Sequence, residues 1–179
     1  FVSSPYIEEI LDQNKEDWLS ELESRLQSGE YAPRPSRIVD VPKGNYHLRP
    51  ASVLHPEDLV VYSALILEVY DHLREAIEWS AETRRFSHIL LDDPTSSNQW
   101  DGFERDHWTD MQEKKIDLAN DCNYVLQTDV SGFYENIDIE RVTSIFKQFT
   151  ERQDIGNEVR HLIRAWAEPR KRGLPQGYG

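Results

Sequence analysis

A single cysteine, Cys122, and a single methionine, Met111, stand among 179 residues. One cysteine excludes a disulfide framework and a cysteine-built zinc site, and it points to a reducing cytoplasm. No apolar run approaches the ~20 residues that a membrane-spanning helix needs. The opening Phe1-Val-Ser-Ser-Pro5-Tyr-Ile-Glu has no basic region ahead of an apolar stretch, which argues against a secretory leader. Positive charge is also scarce: 20 Lys and Arg face 33 Asp and Glu, a net charge of −13, which counts against a surface uniformly suited to nucleic acid. With 38% hydrophobic, 11% aromatic and 30% charged residues, the chain has globular composition and enough length to bury a core.

The charge is unevenly spread. Residues 31–50 hold four basic residues and one acidic, and residues 159–179 hold five basic and one acidic. The 78 residues between 51 and 128 hold 16 acidic and six basic. Two short basic islands therefore stand in an acidic background.

Ser4 and Pro5 suit the N-cap and first position of a helix carrying Ile7, Ile10 and Leu11. Asn14 precedes a second helix with Trp18, Leu19, Leu22 and Leu26 on one stripe, ended by Gly29. Extended runs on either side of Lys43-Gly-Asn45 predict a β-hairpin, with Pro42 restricting the first run to an edge or strand end. Pro56, Glu57 and Asp58 open the longest predicted helix, roughly 56–78, apolar around much of its circumference and so a core helix. Residues 80–121 mix loop chemistry at 92–98 with Trp100, Phe103, Trp108 and Met111, which reads as a partly helical insertion. A short β-type run, Tyr124–Thr128, leads to Asp129. Two amphipathic helices follow, one from near Asp138 with Val142, Ile145, Phe146 and Phe149, and one over 155–167 with Val159, Leu162, Ile163 and Trp166.

The most informative block is Val125-Leu-Gln-Thr-Asp129-Val-Ser-Gly-Phe-Tyr134-Glu-Asn-Ile137. An apolar run delivers a carboxylate, then small residues that let backbone approach a ligand, then two aromatics. A carboxylate so placed suits Mg²⁺, which takes few protein oxygens and leaves room for substrate phosphates. An isolated Asp in such a place more often caps a turn, and Tyr134 competes as a half-buried core residue.

This block resembles motif A of the right-hand reverse transcriptases, and Gly173-Leu-Pro-Gln-Gly177 resembles their motif B. Val41-Pro-Lys43-Gly-Asn-Tyr-His-Leu-Arg49 is similar to the fingers hairpin of the group II intron, retron and phage-defence branches, and His55-Pro-Glu-Asp58-Leu-Val-Val-Tyr to the helix after it. Four blocks in the family's order run from about residue 30 to residue 179. The first 29 residues and the 80–121 stretch add little to the likeness.

The resemblance implies an α+β fold: helix-rich fingers with a small β-hairpin, plus an incomplete palm sheet of a right-hand polymerase. Residues 1–30 would be an N-terminal helical segment, 31–121 the fingers with the insertion at 80–121, and 122–179 a partial palm. It implies an RNA-directed DNA polymerase, a nucleotidyltransferase extending a primer 3′-end with dNTPs on an RNA template, and two Mg²⁺ (or Mn²⁺) ions as cofactors. Asp129 would be the catalytic metal ligand, with the Val130 backbone carbonyl beside it. Lys43 and Arg49 would neutralise the dNTP triphosphate, with Ser131, Gly132, Phe133 and Gln176 near the nucleotide and Tyr134 under its sugar, where its bulk selects deoxynucleotides. Arg160, Arg164, Arg170, Lys171 and Arg172 would face phosphates of the template, primer or structured RNA, with Gly173 and Gly177 letting backbone approach.

The family's motif C, with its Asp-Asp pair, does not follow motif B here, and Asp92-Asp93 comes too early in the order to serve. The expectation is therefore a fragment, inactive alone and prone to self-association through open sheet edges. The alternative is a polymerase-like domain that binds nucleic acid or protein without catalysis.

Overall fold

The computed structural model describes residues 14–43, 47–81, 105–120, 122–126 and 128–175. Helix α1 (Lys15–Ser28) ends at Gly29 as expected, at φ 73°, a left-handed conformation that glycine adopts without steric cost. The helix expected around Ile7–Leu11 lies outside the described residues.

Strands β1 (Arg37–Lys43) and β2 (His47–Val53) pair antiparallel, with Arg37 opposite Val53 and Lys43 opposite His47. The expected hairpin is there. Its two strands make the whole of the described sheet, so both are edges and Pro42, which has no N–H to donate, is tolerated.

The helix expected over 56–78 is divided into α2 (Pro56–Glu68) and α3 (Tyr70–Ala81). Val69, at φ −113° and ψ 16°, interrupts it. Consecutive residues of a continuous helix point about 100° apart, and here both Val69 and Tyr70 are buried. The break lets two neighbours enter the core together, and it falls at a β-branched residue, whose χ1 a helix restricts. Within the expected insertion, α4 (Arg105–Asn120) is helical, and residues 82–104 lie outside the described set.

The run Tyr124–Thr128 corrects the expectation of a palm strand. Its described residues are irregular and unpaired, with Tyr124 93% and Leu126 89% exposed. A strand is stabilised by its ladder and cross-strand neighbours, and no described segment pairs with this run. Among the described residues there is accordingly no palm sheet.

The chain then turns through α5 (Phe133–Asn136) into α6 (Ile139–Thr150) and α7 (Gln153–Ala167). Asp138 caps α6 by accepting from the Arg141 N–H at 3.0 Å. The expected stripe of α7 is the centre of the core: Ile155, Val159, Leu162, Ile163 and Trp166 are buried together with Leu54 and Val69. Leu59, Leu65 and Leu73 from α2 and α3, and Phe146 from α6, pack against them. Burying each such side chain fully contributes ~1.5–3 kcal/mol, which makes α7 the element that holds the others.

A polar node fastens the same elements. Asp58, in the first turn of α2 and with no exposed surface, accepts from the Tyr31 hydroxyl at 2.7 Å, the Arg34 N–H at 3.0 Å and the Trp166 indole at 2.9 Å. Ser36 donates to the Trp166 carbonyl at 2.6 Å. Next to Asp58, Glu57 takes Arg25 of α1 at 2.6 Å. The described residues form an α+β arrangement, rich in helix with one small antiparallel sheet, and none of their helices is long and apolar enough to cross a membrane.

Candidate functional site

Asp129 lies in the middle of the irregular 128–130 segment, exposed to solvent, with its Oδ1 accepting the Val130 N–H at 2.8 Å. Ser131 and Gly132 then turn the chain. Gly132, at φ 61°, opens α5, and its carbonyl accepts both the backbone N–H and the side-chain amide of Asn136, at 3.1 and 2.9 Å. The turn presents an aromatic pair, Phe133 and Tyr134, in edge-to-face contact with centroids 5.4 Å apart. At 54% and 44% exposed, neither ring is packed into the core, so both are available to a ligand.

The second block folds onto this turn. After α7 the chain reverses through Lys171 and Gly173, both at positive φ (57° and 71°). Leu174 N–H donates to the Tyr134 carbonyl at 2.8 Å. A β-carbon added to Gly173 would come 2.4 Å from that carbonyl oxygen and 2.6 Å from the Glu135 Cα. Only glycine allows backbone to meet backbone so closely here. Two segments some forty positions apart in sequence therefore form one surface, flanked by a cleft of about 340 Å³ lined by Ile137, Asp138, Arg164, Lys171, Arg172 and Gly173.

The basic island is largely paired. Glu140 receives Arg160 at 2.6 Å and Arg164 Nε at 2.9 Å, and the Arg160 hydrogen bond, ahead of Arg164, holds its carboxyl below the usual range. Glu135 receives Arg170 at 3.3 Å and lies 4.0 Å from Arg172. Lys171 makes no ion pair among the described residues and is exposed. The surface is thus a set of arginine–glutamate clusters rather than an open cationic patch. Nothing in the sequence marked Glu135 and Glu140 as partners, because acidic residues 20 to 37 positions from an arginine carry no local signal.

Lys43 and Arg49 take their places in the hairpin backbone, opposite His47 and Val41. Their side chains lie outside the described residues, as do Gln176 and Gly177. Asp129 and the Val130 carbonyl offer hard oxygen donors of the kind Mg²⁺ prefers. Among the described residues, however, no three or more His, Cys, Asp or Glu side chains converge. Asp129 is a single carboxylate, and by themselves these residues do not make a two-ion site.

No protein-family model matches the chain, and no curated protein matches it.

Proposed function

We propose that this chain is the fingers and part of the palm of an RNA-directed DNA polymerase of the group II intron, retron or phage-defence type. The observation that carries the reading is the junction just described. The two blocks that resemble motifs A and B touch, Gly173 lies beneath the Tyr134–Glu135 backbone, and Asp129 and the aromatic pair are left exposed. A site that positions a nucleotide beside a template–primer needs such a meeting of turns, since phosphoryl transfer relies mostly on positioning and charge neutralisation. On this reading Tyr134 walls the sugar of the incoming dNTP and Lys171 and Arg172 meet the nucleic-acid backbone. A two-ion site needs further carboxylates besides Asp129. Asp129 is the one this chain contributes, and divalent ions held there would stabilise the charge that develops during transfer.

The natural full-length protein and its Asp129→Ala variant decide the matter by dNTP incorporation on a primed RNA template. The expected outcome is loss of incorporation to background in the variant. Equal activity in the two would remove Asp129 from the chemistry and the reading with it.

The Arg160, Arg164 and Arg170 pairings favour a second reading, a polymerase-like domain that serves as a binding scaffold, because side chains already bound to glutamate are less available to phosphates. A full-length protein that binds RNA normally but incorporates no dNTP under any divalent ion would select it.

A further inference from the structure

The Arg170–Leu174 turn is held by an unusual combination. Two of its residues adopt positive φ, Gly173 packs directly on backbone, and the guanidinium of Arg170 is largely buried, its side chain 17% exposed. Its Nη2 is buried without a hydrogen-bond partner among the described residues. A charged group withdrawn from water in this way is costly unless a counter-charge meets it. The counter-charge is Glu135, one-third exposed, which comes from the helix immediately after the Asp129 turn and reaches Arg170 and Arg172 together. Glu140, by contrast, binds Arg160 and Arg164, both on α7 and outside the turn.

We infer that Glu135 is a positioning residue. It locks the Arg170–Leu174 turn to the Asp129–Tyr134 turn so that the two move as one body, and its carboxylate contacts no substrate. The locking itself follows from the ion pairs and the backbone seam. Its consequence for catalysis rests on the polymerase reading. There the lock fixes the distance between the nucleotide side of the site and the loop that meets the template–primer.

The lock is read first without catalysis, by trypsin acting on the native full-length protein at the bonds after Lys171 and Arg172. Glu135→Gln keeps the shape but removes the charge, and cleavage there is expected to quicken on the order of tenfold as the turn opens. Glu140→Gln makes the same charge change without touching the turn and should leave that cleavage rate alone. Exchanging the charges, Glu135→Arg with Arg170→Glu, should restore part of the protection, since the pair re-forms while Arg172 then faces a like charge. Unchanged cleavage in Glu135→Gln, or an equal rise in Glu140→Gln, overturns the proposal.

Primer extension then tests the consequence. In Glu135→Gln, kcat/KM should fall on the order of 100-fold, mainly through a raised KM for template–primer, with partial recovery in the charge exchange. Faster cleavage with unaltered kinetic constants would overturn the positioning role. Failure of the polymerase reading shows separately, as an Asp129→Ala variant no less active than the parent.

Discussion

Asp58 illustrates how much one side chain does in this molecule. Its carboxyl group gathers a hydroxyl and a backbone N–H from the 31–34 segment and an indole N–H from α7. Burial, and next the hydrogen bond to Asp58, push the Tyr31 phenol well above its ordinary range. Asp58→Ala would strand all three donors, the Trp166 indole among them fully inside the protein, and should destabilise by about 3–5 kcal/mol in urea unfolding. Asp58→Asn should recover most of that, because its carbonyl can serve Trp166 and Arg34 while the Tyr31 hydroxyl rotates to accept from the amide. A loss in the alanine variant below about 1 kcal/mol would show that the node is dispensable.

At the scale of elements, the start of α2 is pH-sensitive through His55. Its ring lies at the N-cap, with Nδ1 3.4 Å from the Glu57 N–H and Nε2 2.7 Å from the Arg34 guanidinium. Both nitrogens face donors, and an added proton finds Glu57 Oε2 only at 3.9 Å. Burial first, then Arg34, lower the pKa of His55, against weaker opposing pulls from Glu57 and Asp58; Arg25 adds a small further lowering. The folded state therefore takes up the proton less readily than the unfolded chain. This stabilising contribution is complete above the unfolded histidine value of about 6.5 and declines as pH falls through the lower folded one. Unfolding curves between those limits should show stability rising with pH, and His55→Asn should flatten the slope. An unaltered slope in that variant would assign the dependence to another group.

The elements differ in how plainly the sequence announced them. Helices α6 and α7 were legible because Val142 to Phe149 and Val159 to Trp166 repeat at helical spacing, and Gly29 marked the end of α1 because only its left-handed φ closes that turn smoothly. The break at Val69 was not legible, since apolar residues continue across it and tertiary packing decides where the helix yields. Nor was the fate of Tyr124–Leu126, whose apolar composition suits a strand but whose pairing depends on a neighbour. In the candidate site, the carboxylate, the aromatics and the glycines could be read residue by residue. Their junction could not, and neither could the glutamates that neutralise the arginines, because both depend on the route of the chain between them.

For the whole molecule, electrostatics set the terms of any encounter with nucleic acid. A net charge of −13 repels a polyanion at long range, and most of the basic island is already engaged with Glu135 and Glu140. Binding of single-stranded RNA by these 179 residues should be weak and fall steeply between 50 and 200 mM salt, with a slope reporting only a few phosphate contacts. Fluorescence anisotropy over that range measures it. Nanomolar affinity at physiological salt would mean that the cation distribution has been misjudged.

The place of α7 in the chain bears on how the protein is made. Ser36 and Asp58 reach their partner Trp166 across 130 and 108 positions, and the apolar core is assembled around the same late helix. On the ribosome, α2 and α3 emerge long before the surface that shields them has been translated, and non-local contacts of this kind close slowly. The nascent chain must pass through a period with its oily faces uncovered, which makes it a natural client for holding chaperones until α7 arrives.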